Sequence, residues 1–210
     1  FMEYLREKLF DKIGVSKEAF CLKCPGGHSW GDSGVICTPR DLLKIARFLL
    51  NGGTWNGEQI LNERYVTEAT AKQIDNNPRG LNDFDTQGYG FQFWRTWRNS
   101  FFFNGMGCQF AVCVPDLDLI LVYNGDNQGK NLAKNVIFEA FFTHIADSMQ
   151  GGSLAENAAS QERLDAYCAG LTLAAAKGSK HSDFEREVNG VTFLVRDNPM
   201  GITKFKLEFD

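Results

Sequence analysis

No stretch of the 210 residues approaches the roughly 20 uninterrupted apolar positions that a membrane-crossing helix requires, so no membrane span is expected. A block of like charge is missing too. The 22 Lys and Arg and 26 Asp and Glu are scattered, and a net charge of -4 leaves no basic face for nucleic acid or anionic lipid. A charged region followed by a short apolar run, the mark of a secretory signal, is also absent from the first residues. With 43% hydrophobic and 23% charged residues, the composition is that of an ordinary globular protein. The length suits one large domain, or one domain with an appendage.

Cysteine is sparse for a disulfide-stapled fold. Cys21, Cys24, Cys37, Cys108, Cys113 and Cys168 are spread over a chain too long to need stapling, so they read as reduced thiols and lean towards the cytoplasm. Cys21, Cys24, His28 and Cys37 have ligand types and spacing compatible with zinc. They lie, however, between two helices that need no metal, and the expectation is that no metal or other cofactor is bound. Cys108 and Cys113 read as small core residues, and His144 as a packed histidine on the apolar face of a helix.

The periodicity predicts an α/β (α+β) protein: an antiparallel sheet flanked by helices. Met2, Leu5 and Leu9 recur at helical spacing from the first residues, as though a helix were already under way, which leads to the expectation that a segment lies upstream. Thr38-Pro39-Arg40-Asp41 is a helix start, followed by the stripe Leu42, Ile45, Ala46, Leu49 and Leu50 and the stop Asn51-Gly52-Gly53. A further helix is expected over residues 63–73 after Asn62. Tyr89, Phe91 and Phe93 then alternate with Gly90, Gln92 and Trp94 as in a strand. Strands at 100–104, 108–114 and 117–124 complete an antiparallel meander, with the nearly all-apolar last run expected at the centre of the sheet. Leu132, Val136, Ile137, Ala140, Phe141 and Ile145 mark a covering helix. Beyond it, residues 149–182 read as a polar linker with a short helix over 161–173. Residues 183–210 read as a β-hairpin, with Val191, Phe193 and Val195 alternating before the turn at 197–201 and Phe205, Leu207 and Phe209 after it. Two strands alone are not stable in water, so the hairpin either docks on the body or opens a further β module.

Four segments in fixed order carry a family resemblance: Phe10-Asp11-Lys12-Ile13-Gly14; Trp30-Gly31-Asp32-Ser33-Gly34 running to Leu42; Leu49-Leu50-Asn51-Gly52-Gly53-Thr54-Trp55-Asn56-Gly57; and Tyr89-Gly90-Phe91-Gln92-Phe93-Trp94, with Gly105-Met106-Gly107-Cys108-Gln109 and Val114-Pro115-Asp116 beyond it. Over residues 1–148 the chain resembles the C-terminal part of the serine hydrolases that include class C beta-lactamases, penicillin-binding esterases and D-aminopeptidase-like enzymes. The resemblance implies a serine activated by a lysine in a Ser-x-x-Lys turn and a Tyr-x-Asn that helps shuttle the proton. Neither motif is here: no serine has lysine three residues on, and no tyrosine has asparagine two residues on. In the family both precede the part resembled by residues 1–14, so an N-terminal segment is expected to be missing and the isolated chain to be inactive.

The resemblance places the family's third motif, usually Lys-Thr-Gly or His-x-Gly, on Phe103-Asn104-Gly105. It implies that the Met106 backbone N–H is an oxyanion donor, beside Asn104 and Gly105, and that Phe103, Gly107 and Tyr89 lie near the substrate. Asn104 in place of a lysine supplies no positive charge, which favours an ester or other amide over a beta-lactam as the small-molecule substrate. Two alternatives stay open. Asn104 and Gly105 also suit a plain turn between strands, and Tyr89, Phe91, Phe93, Trp94 and Trp97 would also suit a non-catalytic module that binds a ligand or partner with an aromatic-rich sheet.

Overall fold

Thr38 starts the first long helix by a reciprocal cap. Its Oγ1 accepts the Asp41 N–H at 3.1 Å, while the Asp41 carboxylate accepts the Thr38 N–H at 3.2 Å and hydroxyl at 2.7 Å. This helix and its neighbours belong to a computed structural model that describes residues 1–31, 33–130, 132–153, 155–172 and 178–209. Contacts divide the chain into two units, Phe1–Gly152 and the part from Ser153 onward.

The first unit opens with α1 (Met2–Leu5), continued by a π-helical turn over Arg6–Phe10. A two-residue pair, β1 (Phe20–Cys21) and β2 (Val35–Ile36), precedes α2 (Pro39–Leu50). Next come the small hairpin of β3 (Thr54–Trp55) and β4 (Glu58–Gln59) and then α3 (Glu63–Thr70), capped by the Asn62 side chain. The main sheet follows. It has four antiparallel strands in the order β5 (Trp94–Thr96), β6 (Ser100–Gly105), β7 (Gln109–Val114) and β8 (Leu119–Asn124). Helix α4 (Ala133–His144) closes the unit.

Strand alternation sorts the core into two faces. Phe102, Phe110, Val112 and Val114 meet Phe138, Phe141 and Phe142 of α4, with the Phe138 ring centroid 5.1 Å from both Phe102 and Phe110. Phe101, Ala111 and Cys113 point the other way and meet Ala46, Leu42, Leu49 and Leu50 of α2. The opposite side of α2 buries Phe48 among Phe10, Ile13, Val15 and Ala19. Phe48 lies outside the stripe expected from sequence because α2 is covered on two sides rather than one.

Several expectations are corrected here. The run 119–124 is the last strand of the sheet, not a central one. Leu119, Leu121 and Tyr123 pack on the α4 side, and Ile120 and Val122 on the α2 side. Continuous apolarity reports that both faces are covered and says nothing of whether the hydrogen-bonding edge is paired. Residues 89–93 are not a strand either. Gln92 has φ 66°, the Gly90 N–H donates to Phe93 O at 2.8 Å and the Phe91 N–H to Ala69 O at 2.8 Å, so the segment turns tightly against the end of α3. A Cβ on Gly90 would stand 2.2 Å from Ala69 O, which is why glycine is needed there. On α4, Leu132, Val136 and Ile145 are exposed and the buried set is Phe138, Phe141 and Phe142. His144 is exposed rather than packed, its carbonyl accepting the Ser148 hydroxyl at 2.8 Å. Apolar residues on several sides of α4 hid the true face.

In the second unit, α5 (Ala158–Ala169) starts at an Asn157 cap, three residues earlier than expected. The expected end of this helix at Leu173 lies outside the described residues, as does Asp32 of the motif segments. A short α6 (Glu185–Val188) leads to β9 (Thr192–Leu194), which pairs antiparallel with β10 (Lys204–Lys206) in the register Phe193 to Phe205. The two rings stack with centroids 5.1 Å apart.

Candidate active-site wall

The hairpin of β6 and β7 ends in the turn Met106-Gly107-Cys108. Gly107 and Cys108 both take left-handed backbone, with φ 76° and 73°, a conformation ordinary for glycine and costly for cysteine. The cost is met by bonds that fix the turn to the loop after β8. The Asn127 N–H donates to Gly107 O at 3.1 Å, the Gly125 N–H to Cys108 O at 3.2 Å, and the Gln109 side-chain amide to Gly125 O at 2.5 Å. Cys108 itself is buried, as is Cys113 on β7.

Met106 stands at the tip, 79% exposed, and its backbone N–H has no hydrogen-bond partner among the described residues. The residue lines a cleft of about 510 Å³ together with Gly107, Asp83, Asp85, Lys130 and Lys134. Asn104 stands on the α4 side of β6. Its Oδ1 accepts from the Lys134 ammonium at 2.7 Å. A positive charge is therefore present beside Asn104 after all, brought by the first turn of α4 rather than by the strand.

The remaining site candidates are placed as follows. Phe103 faces the α2 side, its ring 5.5 Å from Phe93, away from Asn104. Tyr89 is half-buried with its ring edge-on to Trp94 at 5.1 Å, and it is not among the residues lining the cleft. The aromatics expected as a common face do not form one. Trp94 and Trp97 pack towards α4, Phe93 towards α2, and Phe91 lies outside the sheet against Tyr65. Of the zinc candidates, Cys21 is buried with its sulfur near Trp30 O and Ser33 O. No group of three or more ligand-type side chains gathers among the described residues.

Sequence reasoning missed Lys134, Lys130, Asp83 and Asp85. One signal was available: a lysine in the first turn of a helix opposes the helix dipole, and α4 has no acidic residue there to offset it. Burial pushes the Asp85 carboxyl above its ordinary value. Its own backbone N–H and Lys134 act against that rise, and Asp83 adds to it.

No protein-family model matches the chain. In sequence it is similar to a 6-aminohexanoate-dimer hydrolase of Paenarthrobacter ureafaciens, 24% identical over 127 residues, which cover 58% of this chain and 32% of that protein. In structure it is similar to a protein from Bacillus anthracis provisionally named a 6-aminohexanoate-dimer hydrolase. The TM-score is 0.54 at 19% identity, covering 70% of this chain and 39% of the other. The two share a fold. Both likenesses are to proteins named as hydrolases. The chain spans about a third of the length of this curated relative.

Proposed function

We propose that residues 1–148 form one wall of the acyl-transfer site of a serine hydrolase acting on a small amide or ester, with the Met106 N–H as an oxyanion donor. The observation that carries this reading is that N–H, unbonded among the described residues on a turn whose neighbouring carbonyls are fixed by Asn127 and Gly125. A donor already spent on the sheet could not stabilise developing charge, whereas a rigid free one can. In this reading the nucleophile belongs to a Ser-x-x-Lys segment of a longer protein. Its serine oxygen attacks the carbonyl carbon while the carbonyl oxygen comes within about 2.7–3.1 Å of Met106 N. The outer edge of β8 has no partner strand among the described residues, which leaves room for the sheet to be continued. The two relatives are named for action on a 6-aminohexanoate dimer, which favours an amide as the substrate class here.

The test replaces the peptide N–H of Met106 by an ester oxygen in the full-length protein, by semisynthesis. Turnover of an amide or ester substrate should fall by about 10²–10³ with the fold retained. Unchanged turnover would remove Met106 from the mechanism. The 210-residue chain alone should turn over neither nitrocefin nor p-nitrophenyl esters, and activity that survives repurification would contradict the assignment of the nucleophile elsewhere.

A further inference from the structure

The cleft beside Met106 is lined by charges of both signs that close no ion pair with one another among the described residues. Asp83, Asp85, Lys130 and Lys134 all border it, yet none of the four forms an ion pair within 4.0 Å among the described residues. Elsewhere on the same unit opposite charges do close, as in Lys12 with Glu58 at 2.8 Å and Arg98 with Asp147. Lys134 spends one ammonium proton on Asn104 Oδ1 and keeps two donors free. Asp83 and Asp85 lie together on the loop before β5, and Lys130 and Lys134 together at the start of α4, so the two signs arrive from different segments. Phe84, 4% exposed between the two aspartates, anchors their loop in the core through its ring 4.5 Å from Phe138 of α4. The loop is therefore anchored on the helix between its two aspartates.

We propose that this cleft binds a zwitterionic small molecule, its carboxylate at Lys134 and Lys130 and its ammonium at Asp85 and Asp83. A ligand with one charge would meet repulsion at one end of the cleft, whereas one carrying both signs satisfies each end. As a substrate subsite it rests on the acyl-transfer reading, because Met106 lines the same cleft; as a binding site it does not.

The experiment titrates the 210-residue chain, observed by ¹⁵N NMR, with ω-amino acids of two to six carbons, and with pentanoate and pentylamine as single-charge controls. No nucleophile is needed, so failure here is distinct from failure of the proposed chemistry. One or more of the ω-amino acids should shift residues 83–85, 104–107 and 127–135 and bind at least tenfold more tightly than either control. Lys130→Gln and Asp85→Asn should each weaken that binding by about tenfold, the loss expected for a hydrogen-bonded charge. The side chains of Lys130 and Asp85 make no hydrogen bond to another residue among those described, so these variants should keep the wild-type fold. Pentanoate or pentylamine binding as tightly as the zwitterions, no binding by any of them, or shifts confined to other residues would overturn the proposal.

Discussion

A β-carbon placed on Gly105 would stand 2.7 Å from the carbonyl oxygen of Gln109 and 3.0 Å from its Cβ, across the end of the β6–β7 hairpin. The glycine is thus required by its own strand partner, independently of any substrate. Gly105→Ala and Gly105→Val should each destabilise the protein by about 1–3 kcal/mol, the usual cost of overpacking, read as a lower urea midpoint. Equal midpoints for wild type and Gly105→Val would mean that the hairpin can open at no cost. A loss of turnover in Gly105→Val would therefore report folding as well as chemistry, which is why the Met106 amide-to-ester exchange is the better probe.

The parts of this fold that were legible in the sequence are those governed by local chemistry. Thr38, Pro39 and Asp41 announced α2, and the breaks at Gly105-Met106-Gly107 and Pro115-Asp116 delimited β7. Legibility failed where two distant segments decide the outcome. Tyr89 to Phe93 alternate like a strand, yet the backbone folds against Ala69 O. The bond from Lys134 to Asn104 joins residues 30 apart in sequence, and no periodicity carries that information. The turn of the candidate site could be found from its glycines and its family resemblance, but the charges around it could not.

Thr96 is 3% exposed on β5, and its Oγ1 is buried without a hydrogen-bond partner among the described residues. A buried hydroxyl left unsatisfied costs about 1–3 kcal/mol. Thr96→Val removes it with little change of shape and should raise stability by roughly 1 kcal/mol. Thr96→Ser keeps the hydroxyl, loses a buried methyl and should lower stability. Chemical denaturation distinguishes the pair, and a Thr96→Val protein less stable than wild type would show that the hydroxyl is bonded in solution.

Asp41 joins the α1–β1 connection to the cap of α2, because its Oδ1 accepts the Ser16 N–H at 2.8 Å while Oδ2 serves Thr38. Burial alone would push this carboxyl up. The bonds from Ser16 and Thr38, with Lys44 nearby, outweigh burial and hold it below its ordinary 3.8. The unfolded chain then takes up the proton first as pH falls. The contribution of Asp41 is accordingly complete above 3.8 and is lost as pH drops through the lower folded value. Asp41→Ala should cost about 1–3 kcal/mol at neutral pH and flatten the acid limb of the stability profile. A variant with the same acid limb as wild type would place that limb on other carboxylates.

Cys113 lies on the α2 side of β7 with no exposed surface, its sulfur 3.8 Å from Ala46 O, and burial pushes its thiol up to about 12. Cys168 is exposed on α5. Because the thiolate is the reactive form, iodoacetamide at neutral pH should alkylate Cys168 in the native protein and spare Cys113 until denaturant is added. Peptide mapping by mass spectrometry reads both sites. Alkylation of Cys113 at the rate of Cys168 would mean that α2 separates from the sheet in the native state. The same burial sets a sign at alkaline pH. An unfolded Cys113 ionises near 9.0 and the folded one near about 12, so between those values the native state holds the extra proton. Stability due to this group is thus full below 9.0 and falls as pH rises towards 12. Cys113→Ala should be less stable at neutral pH, having lost a packed sulfur, and should show a shallower decline above pH 9.0 than wild type. Parallel alkaline limbs in the two proteins would mean that this thiol ionises as readily in the folded chain as in the unfolded one.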